Sequence, residues 1–127
     1  MATSILIVDD SKLARIVVGK VVALIRPEWE RVEAGSAAEA LEVMTRREID
    51  LVILDFNMPG QNGLELAEDL RRSRPEMPIA IATANVQDEV IARARAANTA
   101  FVAKPITEQG LRPFLEGASL KLRLAHD

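Results

Sequence analysis

Three carboxylates follow two apolar segments of this chain. Asp9 and Asp10 come directly after the run at residues 5–8, and Asp55 comes directly after the run at residues 51–54. Both runs are short and uncharged, which is typical of buried strands. In an open parallel sheet, ligands bind beyond the carboxyl ends of the strands, where the strand order reverses. Because carboxylates in such a crevice repel one another, the spacing predicts a divalent metal site.

Two further polar residues follow apolar runs. Thr83 comes after residues 79–82, and Lys104 comes after residues 101–103. A strand order of 2-1-3-4-5 would bring both residues to the edge that holds the carboxylates. Mg²⁺ suits such a set because it prefers a few carboxylates together with water and phosphate oxygens. The set also suits phosphoryl transfer, in which positioning and charge neutralisation supply most of the catalysis. Asp55 is then the predicted nucleophile, which forms an aspartyl phosphate, and Thr83 and Lys104 hold the phosphoryl oxygens.

The elements that must position these residues alternate regularly along the chain. Short strand-like runs, separated by segments long enough for helices, occur at residues 5–8, 31–33, 51–54, 79–82 and 100–103. This alternation predicts a doubly wound α/β fold, with a five-stranded parallel sheet and helices on both faces. The sequence has no repeat or linker, so we expect a single domain over residues 1–127.

Helix signals support this arrangement. The first predicted helix, residues 11–25, is apolar over about half of its circumference, and we expect that half to pack on the core. Its apolar half consists of Leu13, Ala14, Val17, Val18, Val21, Val22, Leu24 and Ile25, while Ile16 lies outside it. Ser36 and Glu39 form a capping box that opens the second helix. Asn85 is positioned to cap the fourth helix.

Composition excludes several classes of protein. The chain has no cysteine, so disulfides and thiolate metal sites are excluded. Its only histidine, His126, is next to the C-terminus, which excludes histidine-based zinc sites and Ser-His-Asp triads. The net charge is −3, and positive and negative residues are mixed along the chain, so the sequence predicts no basic surface for binding nucleic acid. We see no signal peptide and no apolar stretch of membrane-spanning length. We therefore expect a cytoplasmic protein with no nucleic-acid partner and no membrane insertion.

Four motifs in this order resemble the receiver domain of response regulators, over roughly residues 3–122. They are the pair Asp9-Asp10, the loop at residues 55–59 with Gly63 after it, the pair Thr83-Ala84 and the pair Lys104-Pro105. The resemblance implies a flavodoxin-like fold and a stand-alone receiver of the chemotaxis type, without an output domain.

The resemblance also implies how the site would bind its ligands. Asp55 matches the phosphoacceptor of the family. Mg²⁺ would be bound directly by Asp10 and Asp55, through water by Asp9, and by the backbone carbonyl of Asn57. Lys104 would pair with the phosphoryl group, and Thr83 would donate a hydrogen bond to it.

A conformational switch is a further implication of the resemblance. Thr83 would move toward the phosphoryl group while Phe101 turns inward, which would alter the face formed by helix four, strand five and helix five. Asn57 and Asn85 would tune the lifetime of the phosphoryl group. Many members have tyrosine at the position of Phe101. Phenylalanine has no hydroxyl, so Phe101 cannot supply an output that needs one. The peptide bond between Lys104 and Pro105 is expected to be cis.

The expected function is a phosphoryl-accepting signalling switch, and not an enzyme beyond its own phosphorylation and dephosphorylation. A sensor histidine kinase or a histidine phosphotransfer protein would exchange the phosphoryl group, and a downstream protein would bind the altered face. The main alternative is a phosphorelay carrier that passes the group to a histidine phosphotransfer protein. A small Mg²⁺-dependent phosphatase would need an acid two residues after Asp55, where Asn57 stands. A receiver fold used only as an unphosphorylated binding module is the third alternative.

Overall fold

Strands and helices alternate from one end of the chain to the other. The computed structural model describes residues 2–84 and 87–126. The elements in chain order are β1 (Ser4–Val8), α1 (Lys12–Ile25), β2 (Glu30–Ala34), α2 (Ala37–Arg46), β3 (Leu51–Asp55), α3 (Gly63–Ser73), β4 (Ile79–Thr83), α4 (Asp88–Ala96), β5 (Ala100–Ala103) and α5 (Glu108–His126). No helix within these described ranges is both long and apolar enough to cross a membrane.

The strands form one parallel sheet with the order β2-β1-β3-β4-β5, as predicted. Every residue of β1, β3 and β4 is buried. Burial on both faces explains why these strands are continuous apolar runs and show no alternation of apolar and polar residues. The order also places a topological switch point between β1 and β3, which start crossovers on opposite faces.

Helices cover both faces of the sheet, so the predicted doubly wound fold is confirmed. On one face, α1 and α5 pack on the sheet through residues such as Val22 and Leu115. On the other face, α2, α3 and α4 contribute buried residues such as Ala40, Leu66 and Ala94. The two apolar layers hold the sheet rigidly between them, which fixes the carboxyl ends of its strands.

Less of α1 is buried than its sequence predicts. The buried residues of this helix are Val18, Val22 and Ile25. Three members of the predicted apolar half are exposed instead, with 72% of Leu13, 43% of Val17 and 68% of Leu24 open to solvent. The sheet and α5 together bury only a stripe of the helix, and these three residues lie outside that stripe. Ile16 is exposed, as predicted.

Side chains cap four of the described helices at their N-termini, including α5, where Thr107 accepts a hydrogen bond from the N–H of Gly110 at 3.0 Å. Ser11 caps α1, and Ser36 caps α2 by accepting from the N–H of Glu39. The predicted capping box is incomplete, because the carboxylate of Glu39 accepts from the N–H of Gly35 and not from that of Ser36. Asn62 and Glu65 form a complete capping box at α3, which the sequence did not reveal. The α4 helix begins later than predicted, with Gln87 at its N-cap position. The predicted cap, Asn85, lies outside the described residues.

Candidate functional site

Backbone hydrogen bonds extend the sheet past its strand ends and align the site. The N–H of Phe56 donates to the carbonyl of Ala82 at 2.9 Å, and the N–H of Lys104 donates to the carbonyl of Thr83 at 3.0 Å. The N–H of Asp9, which follows β1, donates in the same way to the carbonyl of Ala34 at 3.1 Å. The C-terminal ends of the strands are therefore aligned at one edge of the sheet. The polar residues at this edge are Asp9, Asp10, Asp55, Thr83 and Lys104.

The three predicted acidic residues form one cluster. One carboxylate oxygen from each of Asp9, Asp10 and Asp55 lies within 4.8 Å of the others. Asp9 and Asp55 are buried, and Asp10 is exposed. Two such charges about 4 Å apart repel by about 4 kcal/mol at an effective dielectric constant of 20. The cluster fits a small divalent cation with oxygen ligands, such as Mg²⁺.

Lys104 partly balances this negative charge. Its Nζ atom lies 2.5 Å from Oδ1 of Asp55 and 3.6 Å from Oδ2 of Asp9. The contact with Asp55 is a close ion pair, but its angles are not those of a directed hydrogen bond. Among the described residues, no donor satisfies the buried Oδ1 atom. A buried carboxylate oxygen without a directed donor is suited to receive a metal ion or a phosphorus atom.

The surroundings of Asp55 and Lys104 shift the pKa values of both side chains. Burial is the largest influence on Asp55 and raises its pKa, Lys104 lowers it, and the charges of Asp9 and Asp10 raise it again, so the pKa is raised overall. Burial lowers the pKa of Lys104, but the carboxylates of Asp55 and Asp9 together raise it above its ordinary value. The lysine is therefore firmly cationic at neutral pH, and the ionised form of Asp55 is disfavoured by its surroundings.

Asp9 accepts hydrogen bonds from Ser11 and Arg15, which were not among the predicted site residues. Its Oδ1 accepts a hydrogen bond from the N–H of Ser11 at 2.9 Å. Its backbone carbonyl accepts one from the guanidinium of Arg15 at 2.7 Å, and the same guanidinium donates to Glu33 at 2.9 Å. In the sequence, Arg15 lies one turn after the N-cap residue Ser11, and this position could have indicated its contact with Asp9. These bonds fix the carboxylate of Asp9 and connect α1 to β2.

Gly63 allows the loop after β3 to close tightly. Its N–H donates to the carbonyl of Phe56 at 3.0 Å. A Cβ atom at Gly63 would collide with the carbonyl oxygen of Asp55 and would lie 2.9 Å from the carbonyl carbon. Only glycine fits this approach without a shift of the backbone. The first residue of α3 therefore packs directly against the backbone of the predicted nucleophile.

Three of the remaining predicted residues, Thr83, Phe101 and Asn57, lie on or near the same edge. Thr83 is buried at the end of β4. Phe101 is half-buried on the edge strand β5, in register with Ile81 of β4. Asn57 is exposed in the loop between β3 and α3. Asn85 lies outside the described residues, so its predicted role as a tuning residue stays a prediction. The peptide bond between Lys104 and Pro105 is cis, as expected.

This arrangement matches a known family. The family model described as the response regulator receiver domain matches residues 5–116. The chain belongs to the response-regulator receiver family. It is therefore a receiver domain of two-component signalling, as its motifs predicted, and it belongs with signalling switches rather than with classical enzymes. Receiver domains bind Mg²⁺ through an acidic pocket, and the cluster of Asp9, Asp10 and Asp55 fits that pocket.

Individual relatives show how far the likeness extends. The receiver domain is 33% identical over 116 residues to a chemotaxis protein CheY homolog of Campylobacter jejuni, with 88% of each chain covered. It is 38% identical over 116 residues to the cyclic di-GMP phosphodiesterase response regulator RpfG of Xanthomonas campestris, where 88% of this chain spans 30% of the relative. Among solved structures, it resembles the chemotaxis protein CheY4 of Vibrio cholerae, with a TM-score of 0.82, 26% identity, and 93% of this chain and 99% of that one covered.

Proposed function

We propose that this receiver domain is a phosphoryl-accepting switch in which Asp55 takes a phosphoryl group from a histidine kinase. The ion pair between Lys104 and Asp55 carries the proposal, since it places a lysine Nζ 2.5 Å from a buried carboxylate oxygen. A lysine that was simply solvated at the surface would not lie this close to a buried carboxylate. At a phosphorylation site, the same lysine is already placed to neutralise a transferred phosphoryl group.

The residues of the site divide the chemistry between them. A carboxylate oxygen of Asp55 attacks phosphorus as the bond from phosphorus to the donor's imidazole nitrogen breaks, and the imidazole keeps that electron pair. Lys104 pairs with the phosphoryl oxygens in place of the carboxylate, and the hydroxyl of Thr83 donates to one of them. Asp10 and Asp55 would hold Mg²⁺ directly, with Asp9 acting through water and Asn57 through its carbonyl. When bound, the ion neutralises the carboxylates and the charge on the phosphoryl oxygens.

The signal would leave the site through β4 and β5. Lys104 and Thr83 are joined by a backbone hydrogen bond, so a movement of either residue is transmitted to the other strand. Phe101 lies on the same edge strand with a half-buried side chain, and it would turn inward when the site is phosphorylated. The face formed by α4, β5 and α5 would then change its affinity for a downstream protein. Asn57 and Asn85 would set how long this state lasts.

The setting of the switch is part of the proposal. We place its action in the cytoplasm, as one receiver domain that signals through protein partners and promotes only its own phosphorylation and dephosphorylation. Family membership supports the proposal of protein partners, because receiver domains generally interact with histidine kinases and downstream targets. The identities of those partners would follow from phosphotransfer assays with individual kinases.

Phosphorylation by a small donor tests the proposal. The protein would be incubated with Mg²⁺ and acetyl phosphate, and its intact mass measured beside Asp55→Ala. We expect a gain of one phosphoryl group in the unmodified protein and none in the variant. Asp50→Asn is a suitable control, because Asp50 directly precedes β3 at the opposite edge of the sheet. No gain in a folded protein that binds Mg²⁺ would contradict the proposal and would favour an unphosphorylated binding module.

A further inference from the structure

An apolar cleft opens beside the candidate site. It has a volume of about 300 Å³ and lies between α1 and the segment that joins β5 to α5. The charged residues that line it are Asp9, Asp55 and Lys104, which also form the candidate site. Apart from Ser11, the rest of its lining is apolar. The cleft is therefore charged where phosphoryl chemistry would occur and apolar elsewhere.

The floor of this cleft is formed by core residues such as Ile53, and part of its wall is formed by side chains that the core leaves exposed. Leu13 and Val17, one turn apart on α1, form part of one wall, and Pro105 and Ile106 form part of the other. Leu13 and Val17 are the same residues that were expected to pack on the core and are exposed instead. Apolar side chains that are left open are informative when they gather at a concave site.

We infer that the cleft binds the apolar part of the leaving group of a phosphodonor, and so favours small branched acyl phosphates over acetyl phosphate. The inference rests on the proposed function of Asp55. Such a donor has a charged phosphoryl end and an apolar acyl end, in the same order as the charged and apolar parts of the cleft. A volume of about 300 Å³ is at the lower end of the range for small-molecule sites, which suits a donor of this size.

The reaction needs no further reagent. An oxygen of the ionised Asp55 forms a bond to phosphorus, and the bond from phosphorus to the acyl oxygen breaks. The carboxylate of the donor leaves with that electron pair, so one carboxylate is consumed and one is released, and no proton is transferred. Once the phosphoryl group is on Asp55, the released acid has no charge partner in the apolar part of the cleft and dissociates.

Isobutyryl phosphate and acetyl phosphate provide the test. The two leaving acids have nearly the same strength, so the donors differ mainly in two apolar carbons. Complete burial of one such carbon corresponds to about a fourfold effect. Since the cleft is open to solvent on one side, we expect the second-order rate constant for phosphorylation of Asp55 to be roughly fivefold higher with isobutyryl phosphate. This rate constant would be measured by intact mass over time, with Mg²⁺ present.

Two exposed leucines on α1 give a matched pair of variants. Leu13→Ser changes a wall of the cleft, whereas Leu24→Ser changes a similarly exposed leucine that does not line it. We expect Leu13→Ser to lower the ratio of the two rate constants toward one and Leu24→Ser to leave the ratio as it is. The ratio corrects for any general loss of activity, because a partly unfolded variant loses both rates equally.

The possible outcomes separate this inference from the proposed function. Reaction with acetyl phosphate and a ratio near one would overturn the inference alone, and so would equal effects of the two leucine substitutions. No reaction with either donor would overturn the proposed function and the inference with it. A second readout needs no phosphoryl transfer. A non-transferable isobutyryl phosphonate should shift the methyl NMR signals of Leu13 and Val17, and unchanged signals at saturating concentration would count against the cleft.

Discussion

The side chain of Lys104 passes over the end of β4 and places its Nζ 2.5 Å from Oδ1 of Asp55. Asp55 is the last residue of β3 and Lys104 follows β5, and these two strands are not neighbours because β4 lies between them. Adjacent strands are about 4.8 Å apart, so the lysine must extend along its full length to make this contact. The ion pair therefore joins the proposed nucleophile to the edge strand that carries Phe101, so loss of the ion pair on phosphorylation would change the position of that strand.

Replacing Lys104 tests whether its shape matters as well as its charge. Lys104→Arg keeps the cation, but a planar guanidinium cannot occupy the place of a compact ammonium group. We expect Asp55 still to be phosphorylated, while the response of β5 is reduced by at least half. The measurement is the change in amide NMR signals of Phe101 and Val102 on adding acetyl phosphate and Mg²⁺. A full response in this variant would mean that Lys104 acts only as a point charge.

Asp55 should lower the stability of the fold near neutral pH. Its pKa is raised by burial, so the native state binds more protons than the unfolded state between pH 3.8 and the raised value. Stability therefore falls as the pH rises through this window, and the ionised form carries the full cost above it. Without Mg²⁺, Asp55→Asn should unfold at a higher temperature than the unmodified protein at pH 7, with a smaller advantage at pH 4.

Fluorescence of Trp29 can follow that unfolding. This sole tryptophan is buried in the turn before β2, at the edge of the sheet opposite the site, so it reports on the fold without contacting Asp55. The comparison should be made in the presence of a chelator. A lower unfolding temperature for Asp55→Asn at pH 7 would show that the surroundings of Asp55 favour its charge.

Mg²⁺ should stabilise the folded protein by relieving the repulsion within the acidic cluster. At a concentration a hundredfold above its Kd, a ligand that binds only the native state adds about 2.7 kcal/mol. We expect an increase of several degrees in the unfolding temperature, and a clearly smaller increase for Asp10→Asn. NaCl at matched ionic strength is the control for screening of surface charges. An undiminished Mg²⁺ response in Asp10→Asn would remove Asp10 from the site.

Two glycines should respond in opposite directions to the same substitution. Gly63→Ala forces a methyl group against the backbone of Asp55, and we expect it to cost about 3 kcal/mol of unfolding free energy and to slow phosphorylation. Gly117 lies in α5 with open space around it, so Gly117→Ala should stabilise the protein by about 1 kcal/mol. Urea denaturation measures both changes. Equal stability of the two variants would contradict the close packing of α3 on β3.

Much of the fold and of the site could be predicted from the sequence, because both depend on strand ends. A parallel strand that is buried on both faces appears as an uninterrupted apolar run, and its end is marked by the first polar residue, as at Asp9, Asp55 and Thr83. Carboxyl ends of parallel strands meet at one edge. Local patterns therefore sufficed to gather residues that are far apart in the sequence.

The features that the sequence did not predict depend on which helix or strand packs against a given surface. The periodicity of α1 identifies an apolar half, but it does not show that the sheet and α5 leave Leu13 and Val17 uncovered. The contacts of Arg15 with Asp9 and Glu33 also depend on the packing of α1 beside β2. Likewise, the start of α4 at Asp88 differs from the position that capping preference alone predicts.

The residue that carries the phosphoryl group can be identified chemically. Borohydride reduces an aspartyl phosphate to homoserine, so treating the phosphorylated protein with it and sequencing the peptides by mass spectrometry identifies the modified residue. We expect homoserine at position 55 and unmodified aspartate at positions 9 and 10. Homoserine at position 9 or 10, or at none of the three, would contradict the assignment of Asp55 as the phosphoacceptor.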